Sequence, residues 1–98
     1  MSFREIKWKV IECLKNGNIE FEARRGIQLK NLLSTGDISP FEVAALIGRA
    51  SGDHYEVRPY HFDSSIDVHI ITVSSAGVPW YIKWYFTEPT SVFISVHH

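Results

Sequence analysis

The spacing of the hydrophobic residues changes at Ser51-Gly52, and this change limits the folds that the chain can adopt. Before this point, hydrophobic residues recur every three or four positions, which is typical of amphipathic helices. After it, hydrophobic and polar residues alternate, which is typical of strands that bury one face. Helices followed by strands, each type in its own block, favour an α+β fold over alternating βα units.

Two helices have clear boundaries in the sequence. The first is predicted over residues 2–16, because Ser2 can cap its start and Gly17 can adopt the left-handed conformation at its end. The second is predicted over residues 39–50. The segment Ser39-Pro40-Phe41-Glu42 has the pattern of a capping box with proline at the first helical position.

The segment between these helices, residues 19–34, is less regular. Alternation of Ile19 and Phe21 with glutamates hints at a short extended piece, and leucines at 29, 32 and 33 suggest a short helix. The run Glu22-Ala23-Arg24-Arg25-Gly26 could contact a phosphate or an acidic partner, although a solvated helix end is the simpler explanation.

Four strands are predicted in the second half of the chain, near residues 54–62, 66–74, 78–86 and 91–97. The loops between them are short, which favours antiparallel pairing of consecutive strands. The predicted architecture is one α+β domain over residues 1–98, in which two or three N-terminal helices pack on a four-stranded antiparallel sheet.

Composition narrows the class of protein. The 98 residues carry 10 Lys and Arg against 11 Asp and Glu, and this balance excludes a non-specific DNA coat protein, which needs a basic surface. No apolar run is long enough for a membrane span, and the charged N-terminus lacks the pattern of a signal peptide, so we expect a soluble, cytoplasmic protein. The single Cys13 falls in the apolar stripe of the first helix and is expected to be a buried thiol.

Strand alternation predicts which side chains point away from the helices. In the third predicted strand, Trp80, Ile82, Trp84 and Phe86 share the core face, and Tyr81, Lys83 and Tyr85 share the other. In the second, Val68 and Ile70 are predicted to face the core, which leaves Asp67 and His69 outside. In the last, Val92, Ile94 and Val96 are predicted to point opposite to Ser91, Phe93, Ser95 and His97. The exposed face is thus predicted to gather His54, Arg58, His69, Tyr81, Lys83 and His97.

These residue types suit cleavage of RNA by its own 2′-hydroxyl, a reaction that needs a base, an acid and cations to stabilise the phosphorane. Histidine can accept or donate the proton near neutral pH, and tyrosine offers a hydroxyl donor or a plane for stacking bases. The predicted catalytic residues are His69, Tyr81, Lys83 and His97. The predicted RNA-binding residues are His54, Arg58, Tyr60 and Tyr85.

Simpler explanations exist for the same residues. A solvated sheet face needs polar side chains in any case, and a terminal histidine pair such as His97-His98 also resembles the remnant of an expression tag. Zinc could be considered for His54, His61 and His69, but their spacing matches no ligand pattern, so no metal or other cofactor is predicted.

Several short segments resemble the MqsR family of bacterial toxins, messenger-RNA interferases of the RelE-like class. They are ECLKNGNIEF, VAALIGRASGDHYE, SSIDVHIITV, VPWYIKWYF and SVFISVHH. The resemblance implies a RelE-like fold, endoribonuclease activity on mRNA, free or on the ribosome, and a cognate antitoxin protein that silences the toxin. The BrnT-like toxins of the same class are an equally open family label.

The resemblance also implies roles for individual residues. Tyr81 and Lys83 coincide with the Tyr-x-Lys strand of the family, whose tyrosine is implicated in catalysis. The chain departs from the pattern at three positions: His97 stands where the family has a C-terminal lysine, Glu56 where it has another catalytic lysine, and Ile66 where it has a glutamine. Arg58 and the histidines would have to supply the missing groups. Two rival functions remain: a non-catalytic module that binds protein or RNA, and a small structural or regulatory protein.

Overall fold

The computed structural model describes residues 2–22 and 31–98. Its first helix, α1 (Phe3–Asn16), begins where the Ser2 side chain accepts a hydrogen bond from the backbone N–H of Glu5. It ends at Gly17, whose φ of 77° is the left-handed conformation that glycine adopts most easily. Its buried face consists of Ile6, Val10, Ile11, Cys13 and Leu14. The predicted helix and the buried thiol are both confirmed.

The other helices follow after the undescribed segment. The short α2 (Leu32–Thr35) starts at Asn31, and α3 (Pro40–Arg49) starts at Ser39 with both hydrogen bonds of the capping box in place. The face that α3 buries consists of Val43, Ala44, Leu46 and Ile47. The prediction that this helix contributes Val43, Leu46 and Ile47 to the core is therefore confirmed. Leu29 and most of the run Glu22–Gly26 lie outside the described residues.

The second half of the chain forms strands, as the change in spacing indicated. A short 3-10 turn at Gly52–His54 leads into β2 (Tyr55–Tyr60), which is followed by β3 (Asp63–Ser75), β4 (Val78–Thr87) and β5 (Thr90–His97). These four strands pair antiparallel in sequence order. Within the described residues, no helix is both long and apolar enough to cross a membrane.

The sheet has a fifth strand that corrects the predicted four-stranded architecture. The short β1 (Ile19–Phe21) pairs parallel with β5, so the strand order is β1-β5-β4-β3-β2 and the sheet is mixed. Backbone hydrogen bonds from Ser91 N–H to the Asn18 carbonyl and from Glu22 N–H to the Phe93 carbonyl extend this contact. Three residues give too little alternation to identify a strand, and its pairing depends on β5, which is distant in sequence.

One face of the sheet packs against the helices and forms the main core. The largest buried side chains there are Trp84 and Phe93, which lie against α1 and α3 residues such as Val10 and Ile47. The predicted parity of β4 is confirmed. Ile82 and Trp84 are fully buried, Trp80 is half-buried against the core, and the side chains of Tyr81, Lys83 and Tyr85 lie on the other side.

The predicted alternation of β5 is wrong from Ser91 to Ile94, since Val92 pairs with Tyr85 on the open face. It is correct from Ser95 to His97. Lys83 pairs with Ser95 whereas Trp84 pairs with Phe93, so Ile94 is an extra residue in a β-bulge. The bulge places both Phe93 and Val96 in the main core, although they are an odd number of residues apart. Ile94 instead joins Val68 and Ile70 in a small cluster covered by Tyr60, Tyr81 and Tyr85 on the open face.

Candidate functional site on the open face

The sheet face opposite the helices, here called the open face, presents Arg58, Tyr60, Tyr81, Lys83, Tyr85 and His97. The central strand β4 contributes three of them, because alternate residues of a strand point to the same side. Cross-strand pairing sets their neighbours: Lys83 lies between Ile70 of β3 and Ser95 of β5, and Tyr81 lies between Thr72 and His97. Of the eight predicted site residues, the sheet brings these six to one side.

The rings of Tyr81 and His97 stack on each other. Their centroids are 5.1 Å apart and their planes differ by 25°. The two residues are directly paired across β4 and β5, so backbone hydrogen bonding fixes their separation. Both side chains are half-buried. A phenol hydroxyl and an imidazole are therefore held next to each other at the surface.

A cavity of about 100 Å³ lies beside this pair, between β2 and β4. Its polar lining includes Arg58, Tyr60, Tyr81 and Lys83. The Arg58 guanidinium is oriented by the carboxylate of Glu56, which accepts hydrogen bonds from Nη2 at 3.1 Å and from Nε at 3.3 Å. Two cationic side chains and two phenols thus line one depression. This is the arrangement expected of a site for a phosphate with an adjoining ring.

An aromatic group borders the cavity on the β2 side. The rings of Tyr60 and Tyr85 lie 4.8 Å apart, and Phe62 packs edge-on against Tyr60 at 5.6 Å. Phe62 is 63% exposed although it is large and apolar. Exposed aromatic rings of this kind can stack on unpaired bases.

His69 does not belong to the open face, which corrects the predicted catalytic set. It pairs with Trp84, and residues directly opposite each other share a face, so His69 points to the helix side and is only 6% exposed. Tyr55 lies beside it, with the hydroxyl 2.7 Å from His69 Nδ1. The alternation was ambiguous because Val68, Ile70, Ile71 and Val73 are all apolar. Val68 and Ile70, predicted to face the main core, belong instead to the small cluster on the open face, and Ile71 and Val73 enter the main core.

His54 also lies apart from the cavity. It occupies the 3-10 turn before β2, where its Nδ1 accepts a hydrogen bond from the backbone N–H of Ser51 at 2.9 Å. Its side chain borders a separate shallow depression with Glu56 and Thr72. The structure thus gives His54 a local capping role, and an RNA contact by His54 stays a prediction.

His61 lines the open-face cavity and was missed as a site residue. Simple alternation along β2 would put it on the side of Tyr55 and Val57. The register shifts between Pro59 and Tyr60, however, and the chain then turns at residues 61–62. Pro59 was the sequence signal for this shift, because proline inside a strand commonly marks an edge or a bulge. Beyond a bulge, simple alternation no longer predicts which face a side chain occupies.

The pKa of His69 is lowered by burial, which outweighs the opposing effect of the Asp67 carboxylate. The positive charge of Lys9 acts in the same direction as burial. The folded protein therefore keeps this imidazole neutral at pH values where the unfolded chain protonates it. Stability from His69 should be complete above the ordinary histidine pKa of about 6.5 and should decrease as the pH falls below it, toward the lower pKa of the folded state.

We expect the free energy of unfolding to fall more steeply with acidification in the parent protein than in His69→Gln. The difference in slope should be at most about 1.4 kcal/mol per pH unit, because a single proton is involved. Urea unfolding of both proteins between about pH 7 and about pH 5 measures this difference in slope. The exposed His61→Gln serves as the control and should keep the parent slope. If the free energy of unfolding depended on pH in the same way in the parent protein and in His69→Gln, the lowered pKa of His69 would be contradicted.

Within the described residues, no group of three or more His, Cys, Asp or Glu side chains is arranged to hold a metal ion. His61 and His69, considered above for zinc, lie on opposite faces of the sheet. The scan against models of known protein families finds no match, and no curated protein is similar enough in sequence to match the chain.

Proposed function

We propose that the chain is a metal-independent endoribonuclease that cleaves single-stranded mRNA at the open face. The observation that carries this proposal is the cavity that Arg58, Tyr81 and Lys83 line together, with His97 stacked on Tyr81. Cleavage by the 2′-hydroxyl requires two proton transfers and stabilisation of a charged phosphorane, and these side chains offer groups for each. No bound cofactor is part of the proposal.

In this mechanism the neutral His97 imidazole accepts the proton of the 2′-hydroxyl as its oxygen attacks the phosphorus. The Tyr81 hydroxyl, which can donate as well as accept, gives a proton to the departing 5′-oxygen. The products are a 2′,3′-cyclic phosphate and a free 5′-hydroxyl. Lys83 and Arg58 stabilise the negative charge of the phosphorane, and Glu56 limits the positions that the guanidinium can adopt.

The aromatic group beside the cavity binds the bases that flank the cleaved bond. Stacking on Tyr60, Phe62 and Tyr85 requires unpaired bases, so single-stranded RNA is favoured over a duplex. Because every base has a ring face, this platform supplies affinity with little sequence selectivity.

The biological role that we propose is that of the toxin of a toxin–antitoxin pair, with a RelE-like fold and action in the cytoplasm. Support comes from the resemblance of the Tyr81-x-Lys83 strand to the MqsR-like toxins and from the position of both residues on the open face. Glu56 and His97 stand where the family has lysines. Glu56 forms an exposed ion pair with Arg58 on the edge strand β2, and His97 pairs with Tyr81. A cognate antitoxin that covers the open face would silence the protein.

Incubation of the purified protein with an end-labelled single-stranded RNA, in excess chelator, tests the activity. We expect fragments that end in a 2′,3′-cyclic phosphate, and no cleavage where the scissile nucleotide is replaced by its 2′-deoxy analogue. A parallel reaction with translating ribosomes separates free mRNA from ribosome-bound mRNA as the substrate. Intact RNA in both reactions, or cleavage that depends on an added divalent ion, would contradict the proposed mechanism.

A non-catalytic RNA-binding module is the second candidate, and the exposure of the aromatic group favours it. The Phe62 side chain, exposed beside Tyr60, can stack on a base whether or not a bond is cleaved. The same purified protein distinguishes the two functions. Retention of labelled RNA without any fragments would identify a binding module.

A further inference from the structure

A second and larger cavity lies on the helix side of the sheet, and the open-face mechanism does not use it. Its volume is about 410 Å³, within the range of roughly 300–1,000 Å³ that is common for ligand sites. The strands β2, β3 and β4 form its floor, and Ile6 of α1 forms part of its wall. The lining residues are Ile6, Tyr55, Val57, Ser65, Ile66, Asp67, His69 and Phe86.

Most of the lining of this helix-side cavity is apolar or aromatic. The His69 ring lies 5.1 Å from Phe86 and stacks on Tyr55 at 5.9 Å with a 15° angle between planes. Val57 is 49% exposed at the rim, an unusual position for a β-branched apolar side chain on an edge strand. These surfaces fit a flat ring better than a flexible polar chain, because stacking and apolar contact both reward planarity.

A few polar groups are set into this apolar lining. The hydroxyl of the half-buried Tyr55 and His69 Nδ1 share one hydrogen bond, and burial raises the pKa of Tyr55 while it lowers that of His69. Both groups are therefore neutral at physiological pH. The carboxylate of Asp67 acts electrostatically on both of them and is a hydrogen-bond acceptor at the rim. A ligand that carries an N–H or O–H donor can therefore form a hydrogen bond with Asp67.

The charges around the cavity disfavour an anionic ligand. Asp67, the charged residue of the lining, repels anions, and the Lys9 ammonium lies 4.4 Å from the centroid of Phe86. Lys9 is itself paired with Glu88, so it is not available to neutralise a ligand phosphate. A neutral planar ring with an amino group meets these requirements. Among biological molecules, the amino-bearing nucleobases adenine, cytosine and guanine have this chemistry.

We propose that the helix-side cavity is a binding site for an amino-bearing nucleobase. The ring packs against Phe86 and the apolar residues, and its exocyclic amino group donates to the Asp67 carboxylate. The base can come from a free nucleoside or from an RNA chain. The site is independent of the proposed RNA cleavage, because it lies on the opposite face of the sheet from Tyr81 and Lys83.

Titration of the full chain with adenosine, cytidine, guanosine and uridine, followed by calorimetry and by the ring resonances of His69, tests this proposal. We expect at least one amino-bearing nucleoside to bind with a perturbed His69 signal, and uridine to bind more weakly. The 5′-monophosphate should also bind more weakly than its nucleoside because of Asp67. Displacement of the nucleoside by a short RNA would identify RNA as the source of the base, and its failure would identify the free nucleoside.

The Asp67→Asn variant is the decisive comparison, since it keeps the side-chain shape at an exposed position that should tolerate the change. The asparagine amide oxygen still accepts a hydrogen bond but carries no charge, so the weaker bond should raise Kd by roughly 3- to 10-fold. Asp37→Asn, outside the lining of the cavity, should leave Kd unchanged. An unchanged Kd in Asp67→Asn, or no binding by any of the four nucleosides at millimolar concentration, would overturn the proposal whether or not the protein cleaves RNA.

Discussion

Replacement of Tyr81 by Phe is expected to slow RNA cleavage by about 10²–10⁴-fold while the fold is preserved. The substitution removes only the hydroxyl that donates to the 5′-oxygen, and the ring can still stack on His97 and cover Ile94 and Ile70. His97→Ala should cause a loss of similar size, since it removes the proposed base. Cleavage rates under single-turnover conditions, with RNA affinity measured separately, separate the chemical step from binding.

Tyr85→Phe is the matched control for this experiment. Tyr85 lies on the same strand and the same face, and its proposed role requires only its ring, so its cleavage rate should stay close to that of the parent protein. His69→Gln, on the helix side, should also retain cleavage. Full activity in both Tyr81→Phe and His97→Ala would contradict the mechanism. A loss confined to His69→Gln would move the active site to the helix-side cavity.

Truncation of Trp84 to Ala is expected to lower the free energy of unfolding by about 3–5 kcal/mol. Trp84 is fully buried and is one of the largest side chains of the core, where its ring lies near Phe93, His69 and Phe86. The surrounding strands are fixed by backbone pairing and cannot collapse into the space left behind. For a domain with a typical stability of about 5–15 kcal/mol, this is a large part of the total.

Urea unfolding followed by far-UV circular dichroism measures this effect, and Trp8→Ala provides the control. Trp8 is 52% exposed on α1, so its truncation should change the stability by about 0.5 kcal/mol or less. Trp84→Phe keeps an aromatic ring and should cost less than Trp84→Ala, which covers the case in which the alanine variant does not fold. Equal losses in Trp8→Ala and Trp84→Ala would show that the core does not depend on Trp84.

The parts of the fold that could be predicted from sequence are those determined by local signals. Caps at Ser2 and Ser39 define the starts of α1 and α3, and the strict alternation of large rings in β4 defines its buried face. The alternation at Ile19 and Phe21 hinted at the extended segment that forms β1, but its place in the sheet was missed because its partner β5 is far away in the chain. The bulge at Ile94 was missed because no glycine or proline marks it, and an apolar residue fits either face there.

The candidate site was predictable to the same extent. Tyr81, Lys83 and Tyr85 were placed correctly because they alternate with buried residues on a central strand. His69 was assigned to the wrong face because β3 buries apolar residues on both of its faces. The hydrophobic pattern of β3 therefore does not show which residues point toward the helices. His61 reaches the open-face cavity only after a register shift that changes the direction of the chain.

The position of β5 between β1 and β4 has a consequence for how the protein folds. Ile19 pairs with Ser91, so this parallel contact joins residues that are 72 positions apart in the chain. Closing so long a loop costs chain entropy before the contact contributes any stability. Such distant contacts raise the contact order and slow folding. During synthesis, the helices and the β2–β4 meander can form early, but the sheet stays incomplete until β5 has left the ribosome. A nascent chain would therefore complete its main core, which contains Phe93 and Val96, only as its last strand docks.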